Sequence, residues 1–398
     1  MVSRRNMIAC GIGTGVLAAL GYRAFDRGVF SAGQGEAYRA WSEWQGIAGE
    51  MPAKRPIHAA ILAANAHNTQ PWIFEPGEDA ITLYADLSRH IGTADPFRRE
   101  LYASLGCALA NLKLAFPDYD VFPARQWNHD RLEISRDETP VAAQRLEIRR
   151  HDVGATVELF PALRHAIPHR HTNRGPYRPD RQLPNLGDIF YASENGIDGV
   201  AIFDPGAKRE LGALIVEATE RFVADSEMSA DSARWFRTGR KEIERNRDGI
   251  TTDTAGLSPV VNAVAKLMPD QNAETADRYW LAATRDVQIP TAAAFGVIFC
   301  TDRLERDQAI FAGERWQRSH LWLTTLGLAA QPLNQPIEIM DRDHQLGRSN
   351  DYAKDIRKIA GVRNGDPAFI FRLGYGTREA PASARRRFGD VLMRNRYA

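Results

Sequence analysis

Cysteine is scarce in this chain, with 3 among 398 residues, too few for the disulfide framework of a small secreted scaffold. Cys107 and Cys300 sit in apolar runs and read as buried small hydrophobes, and Cys10 follows a basic head too closely to be a lipoprotein site. No CxxC pair and no HExxH helix occurs. His165, His169 and His171 cluster, but no cysteine or carboxylate joins them at metal spacing, so no metal site is expected. An excess of one charge is lacking too: the net charge of +1 at pH 7 gives no support for nucleic-acid binding. The N-terminal apolar run, Ile8 to Leu20, falls short of the ~20 residues that cross a bilayer comfortably. The 31 glycines and 21 prolines follow no fibrous period, which excludes a collagen-like or low-complexity chain.

What is there is the composition of an ordinary globular protein, 44% hydrophobic and 25% charged. The length suggests two domains or one large fused unit. Residues 1–33 are expected to stand apart from the fold. Ser3-Arg4-Arg5-Asn6-Met7 before the apolar run resembles a twin-arginine export signal, with Met7 where phenylalanine is common. A chance basic start before a short anchor helix is the competing reading. Ser31-Ala32-Gly33 is the best small-residue candidate for cleavage, and an uncleaved membrane tether stays open. The signal implies the twin-arginine translocase as a partner, a periplasmic or exported location, and a protein that folds around its ligand before export.

Residues 34–160 and 161–398 read as two halves of similar plan, each with strands and a long buried helix. In the first, Ile57 to Asn65 is helix-like, Trp72 to Phe74 strand-like, Leu101 to Phe116 a long apolar helix, and Asp130 to Ser135 and Ala143 to Arg149 strands. In the second, Leu211 to Ala224 is an amphipathic helix. Phe295 to Thr301 and Ala368 to Gly374 are strands, and Ala312 to Gly327 is a helix ended by its glycine. The likeness of plan suggests duplication. Between 226 and 274 the periodicity breaks down, which predicts either a lid or a surface excursion without a role.

Two polar motifs carry the chemistry. Asn65-Ala66-His67-Asn68-Thr69-Gln70-Pro71-Trp72 gathers amide, imidazole and hydroxyl groups where a helix ends, beside a flat apolar wall. In Arg170-His171-Thr172-Asn173-Arg174, an extended backbone would put Arg170, Thr172 and Arg174 on one face. Two guanidinium forks and a hydroxyl suit a phosphate. A polar turn and a solvated basic turn are the alternatives for each motif taken alone.

Together the motifs resemble the nitroreductase-like FMN family. Arg170, Thr172 and Arg174 match its Arg-x-Ser-x-Arg phosphate motif. Asn65, Asn68, Gln70, Pro71 and Trp72 match its Pro-Ser-Ser-x-Asn-x-Gln-Pro-Trp motif, with Ala64-Asn65-Ala66 replacing Pro-Ser-Ser. Arg372-Leu373-Gly374-Tyr375-Gly376 with Arg385-Arg386-Arg387 resembles the last strand and basic tail. Leu326-Gly327-Leu328 with Gln331-Pro332-Leu333-Asn334 resembles the loop near flavin N5. The motif order departs from the family: Gln-Pro-Trp stands in the first half, the arginines stand in the second, and Tyr191-Ala192-Ser193-Glu194-Asn195 replaces a second Gln-Pro-Trp. The resemblance is to the fused, Acg-like branch. It implies an α+β nitroreductase-like fold, with two pseudo-symmetric α+β halves in one chain resembling a nitroreductase homodimer, a monomer with one complete site.

The resemblance implies FMN as cofactor. Arg170, Thr172, Arg174, Arg385 and Arg387 would hold its phosphate, and Asn65, Asn68 and Gln70 its ribityl chain or ring edge. Backbone groups at Pro332, Leu333 and Asn334 would stabilise the reduced ring. No catalytic acid or base is implied. Two functions compete. One is reduction of a nitroaromatic or quinone-type small-molecule acceptor with an unidentified electron donor. The other is flavin sequestration or storage with little turnover, which an exported location poor in NAD(P)H favours.

Overall fold

The computed structural model describes residues 21–47, 49–115, 119–123, 130–134, 137–150, 159–187, 195–269 and 272–393. The Arg4-Arg5 head, the Ile8 to Leu20 run, Cys10 and Tyr191 to Glu194 lie outside the described residues.

The first half runs α1 (Arg55–Ala60), β1 (Trp72–Pro76), β2 (Ala80–Ala85), α2 (Arg99–Leu114), β3 (Tyr119–Pro123) and β4 (Val141–Arg150). Its strands form an antiparallel sheet in the order β1-β2-β4-β3. The second half opens with α3 (Leu159–Ala166), β5 (Tyr177–Arg178), β6 (Asp198–Ile202) and α4 (Pro205–Ala224). An inserted stretch follows: α5 (Ser226–Ala233), β7 (Phe236–Arg237), α6 (Arg240–Asn246), β8 (Ile250–Thr251) and α7 (Pro259–Leu267). Then come α8 (Ala273–Ala283), β9 (Ala294–Cys300), α9 (Arg306–Thr325), β10 (Ala329–Pro332), α10 (Gln335–Gln345), α11 (Tyr352–Ala360) and β11 (Asp366–Gly376). The second sheet is also antiparallel, β10-β11-β9-β6, with β5 on the end of β11.

Matching β6, β9, β10 and β11 to β1, β2, β3 and β4 makes the two sheet orders identical, with a long helix between the second and third strand of each. The architecture is mixed α+β, as expected, and its topology repeats. The two long helices cross by a reciprocal contact. Gly106 lies seven residues after Arg99, and Gly313 seven after Arg306. A Cβ on Gly106 would stand 1.9 Å from the Ile310 carbonyl oxygen, and one on Gly313 would stand 1.9 Å from that of Ala103. Ile310 and Ala103 are each the fifth residue of their helix. The crossing is therefore a local two-fold contact built from one chain, with each glycine admitting the partner's backbone.

The strand β9 is buried on both faces, and the period-two alternation divides it. Phe295, Val297 and Phe299 enter one core with Ile215, Phe222 and Ile337. Ala294, Ile298 and Cys300 enter a larger core shared with Ile57, Trp72, Phe74 and Leu105 of the first half. The halves are thus fused through one core rather than stacked as independent units. In α9, Gly327 (φ +69°) ends the helix, and the Leu328 N–H donates to the Leu323 carbonyl at 2.9 Å, the helix-ending pattern that glycine permits.

Three expectations need correction. Asp130 to Ser135 forms no strand over the described residues 130–134; only an isolated bridge joins Arg131 to Glu305. The helix-like stretch from Ile57 stops at Ala60, and Asn65 is extended (φ −162°, ψ 156°), because the following residues are drawn into long-range hydrogen bonds. Residues 21–33 do not stand apart from the fold. Arg23 donates to the Leu267 and Met268 carbonyls, each at 2.7 Å, and Gly28 accepts from the buried Lys266 ammonium at 2.8 Å.

Candidate functional site

The two motifs meet at one cleft. It is lined by Ala64, Asn65 and Asn68 from the first, and by Arg170, His171, Thr172 and Arg174 from the second. Gly249, Ile250 and Thr254 of the inserted stretch add one wall, and Pro381, Ser383 and Arg385 of the tail another. Its free volume is small, about 50 Å³.

Backbone strain marks the first motif. His67 (φ +47°), Asn68 (φ +56°) and Gln70 (φ +53°) all lie in the left-handed region, which costs non-glycine residues free energy and concentrates at functional sites. Hydrogen bonds hold the loop in that shape. The Gln70 N–H donates to Asn65 Oδ1 at 2.8 Å, and the Ala66 N–H donates to Ser104 Oγ at 3.1 Å. The Asn68 amide donates to the Gly249 carbonyl at 3.1 Å and the Ala384 carbonyl at 2.9 Å, while its oxygen accepts from Arg385. Gln70 is fully buried; it donates to the Arg247 carbonyl at 2.8 Å and accepts from the Arg386 N–H at 2.8 Å. Asn68 and Gln70 therefore fasten the inserted stretch and the tail onto the loop.

The second motif follows a turn, Ile167–His169, at the end of α3. Arg372 on β11 steadies it from below by donating to the Gly175 carbonyl at 2.7 Å and the Asn173 carbonyl at 3.3 Å. From above, Gly256 (φ +83°) lies so close that a Cβ there would fall 2.4 Å from the Arg174 carbonyl carbon. Arg174 donates to the Thr254 carbonyl at 3.1 Å. Arg170 and Arg385 both donate to the Leu62 carbonyl at 3.2 Å, just past the C-terminal end of α1, where carbonyls are unsatisfied. Arg385 also lies over the Trp41 ring, 4.8 Å from its centroid, and the same tryptophan meets the His171 ring edge-on at 4.4 Å.

No residue lining the cleft is acidic. Among the described residues, none of Arg170, Arg174 and Arg385 is paired with a carboxylate, and the Nε atoms of Arg170 and Arg385 are buried without a partner. Burial brings the Arg170 and Arg174 guanidiniums down to about 10. Burial, with Arg170 adding repulsion, pushes Arg385 well down too. His171 is held at about 3 by burial and then by Arg170 and Arg385. Buried cations without counter-charges are costly. The arrangement favours a multiply charged anion that reaches several guanidiniums together.

Of the expected site residues, Asn65, Asn68, Arg170, Thr172, Arg174 and Arg385 come together at the cleft. Gln70 does not line it, and Arg387 is exposed, at the start of the turn Phe388–Val391. Pro332, Leu333 and Asn334 also stay outside the cleft's lining. Pro332 pairs with Phe371, the Leu333 N–H donates to the Ile370 carbonyl at 2.8 Å, and the Asn334 side chain bonds Glu100 and Ile370. Trp41 and Ser383 were not singled out from the sequence; His171 stood there only within its motif and histidine cluster, and the wall at 249–254 falls in the 226–274 stretch expected as a lid or a surface excursion. His171 and Ser383 sit beside expected residues, whereas nothing local marks Trp41.

No family model matches the chain. Its curated relatives include two Mycobacterium tuberculosis proteins, from the strains CDC 1551 / Oshkosh and ATCC 25618 / H37Rv, each named "Putative NAD(P)H nitroreductase". Each is 25% identical over 344 residues, spanning 84% of this chain and 88% of the relative. The homology is distant. Solved structures with similarity include one named "putative nitroreductase" from Anabaena variabilis (11% identity, 85% of this chain and 91% of that one, TM-score 0.39). Another is the FMN-dependent nitroreductase NfnB of Mycobacterium smegmatis in complex with NADPH (17% identity, 60% and 100%, TM-score 0.36).

Proposed function

We propose that this chain is a fused, nitroreductase-like flavoprotein that holds one FMN in the cleft between the two motifs. The observation that carries the reading is the set of three guanidiniums, Arg170 and Arg385 buried and Arg174 half-buried, facing one cleft without a carboxylate. The unpartnered Nε donors of Arg170 and Arg385 fit a phosphate dianion. Arg170, Arg174, Arg385 and the Thr172 hydroxyl would hold that phosphate. Asn68 would position Arg385, and Asn65 would face the rest of the cofactor. Bound FMN supplies hydride and one-electron chemistry; the chain supplies charge, orientation and a covering wall.

The reaction class in this reading is reduction of a nitroaromatic or quinone-type acceptor. The curated relatives favour it by their names. The alternative is FMN storage. It is favoured by the wall at 249–254, which hydrogen bonds from Asn68 and Arg174 hold against the cleft. One preparation tests both. The denatured holoprotein should release one FMN per chain, since only one pairing of motif halves is complete; a ratio near two, or another nucleotide, would contradict the reading. Anaerobic NADPH should bleach the flavin of a reductase and leave that of a storage protein yellow.

The same reading places the protein outside the cytoplasm, carried there folded by the twin-arginine translocase. Arg4→Lys/Arg5→Lys should leave it cytoplasmic yet flavin-loaded, because the described site involves neither residue. Cell fractionation decides: a double variant that still leaves the cytoplasm would point to the general secretory route.

A further inference from the structure

The helix α7 is built inside out. Val260 is 74% exposed, Val261 52%, Val264 53% and Met268 49%, whereas Lys266 is only 6% exposed. These residues follow the three-to-four spacing of a single helical stripe. The polar side chains turn inward: Lys266 pairs with Asp253 at 2.6 Å, and Asn262 donates to the same carboxylate at 2.7 Å. A helix that hides its lysine and offers valines to water needs an apolar partner.

A second apolar set lies beside it. Tyr22 (66% exposed), Phe25 (65%) and Phe30 (83%) belong to the segment that Arg23 and Lys266 tie to the end of α7. Arg23, Arg27, Arg240 and Lys241 rim this region, with Arg240 over the Phe25 ring and Lys241 paired to Asp26. In sequence the segment continues directly from the apolar run Ile8 to Leu20.

We propose that the outward face of α7, with Tyr22, Phe25 and Phe30, docks on the interface of an anionic lipid bilayer. An apolar stripe flanked by basic side chains is the composition that settles at the headgroup boundary. Anionic headgroups complement the rim, whereas a second copy packed on this face would bring like charges together.

The test is sedimentation of the full-length holoprotein with vesicles of phosphatidylcholine and phosphatidylglycerol, and with phosphatidylcholine alone. Wild type should partition onto the anionic vesicles more strongly. Val260→Asp/Val264→Asp should weaken partition at least about ten-fold with the N-terminal run unchanged. Tyr22→Ser/Phe25→Ser/Phe30→Ser serves as an independent variant if the first is poorly folded by circular dichroism. Partition unchanged in a folded variant, or wild type that ignores vesicles, would overturn the proposal. So would sedimentation velocity showing a wild-type dimer that Val260→Asp/Val264→Asp dissolves, since the face would then be an interface between copies.

Discussion

Gly313→Ala is expected to destabilise the protein by about 3 kcal/mol, where the same change in an open helix gains up to ~1 kcal/mol. The reversal of sign comes from the crossing of α2 and α9. The new methyl would meet the Ala103 carbonyl at 1.9 Å, a backbone atom that no rotamer change can move aside. The helices would have to separate, and the close packing around Leu105, Leu109 and Trp316 would open with them. Gly106→Ala should behave alike, because its methyl would meet the Ile310 carbonyl at the same 1.9 Å. The double variant should cost clearly less than the two single costs added, since one separation relieves both contacts. Urea unfolding of the apoproteins measures all four corners of this cycle. Stabilised single variants, or strict additivity, would show that the glycines are not the reciprocal contact described.

Arg174→Ala is expected to weaken FMN binding by about 2–4 kcal/mol, the loss of a charged partner from a phosphate. Arg174 is the cleanest of the three guanidiniums to remove. Among the described residues its side chain donates to Thr254, whereas Arg385 also ties together Asn68, Leu62 and Ala63. Arg170→Ala should lose comparable affinity but also removes its bonds to the Leu62 carbonyl, left to Arg385, and to His320, so its effect mixes binding with local stability. The exposed Arg240 provides the neutral control. Apoprotein titrated with FMN by fluorescence gives the dissociation constants, and equal constants for Arg174→Ala and wild type would place the phosphate elsewhere.

The meeting of Arg170, Thr172 and Arg174 with Asn65 and Asn68 was legible in the sequence. Local spacing set the first group on one face, and the resemblance paired the two motifs across roughly a hundred residues. The parts that were not legible are long-range. Gln70 looks like a ligand group in its motif, and only the docked tail shows its oxygen occupied by the Arg386 N–H. Leu333 looks like a free donor until its N–H meets the Ile370 carbonyl of β11, and the Asn334 amide until it donates to Glu100 and accepts from the Ile370 N–H. Asp130 to Ser135 alternates like a strand but finds no partner strand in the described part. The long helices were legible from apolar spacing. Their shared Arg start and Gly at the eighth position give too few matches to announce a repeat until the crossing is seen. The burial of Lys266 depends on Asp253 and on the Gly28 carbonyl far away in sequence, contacts no local pattern announces.

The central claim is that the three unpaired guanidiniums exist to hold the phosphate of FMN. Comparison of FMN with riboflavin on the same apoprotein tests it most directly, because the two ligands share the ring and differ by that phosphate. Wild type should prefer FMN by at least about a hundred-fold, and Arg174→Ala should erase most of the preference while leaving riboflavin affinity nearly unchanged. Equal affinity of wild type for the two ligands would contradict the account.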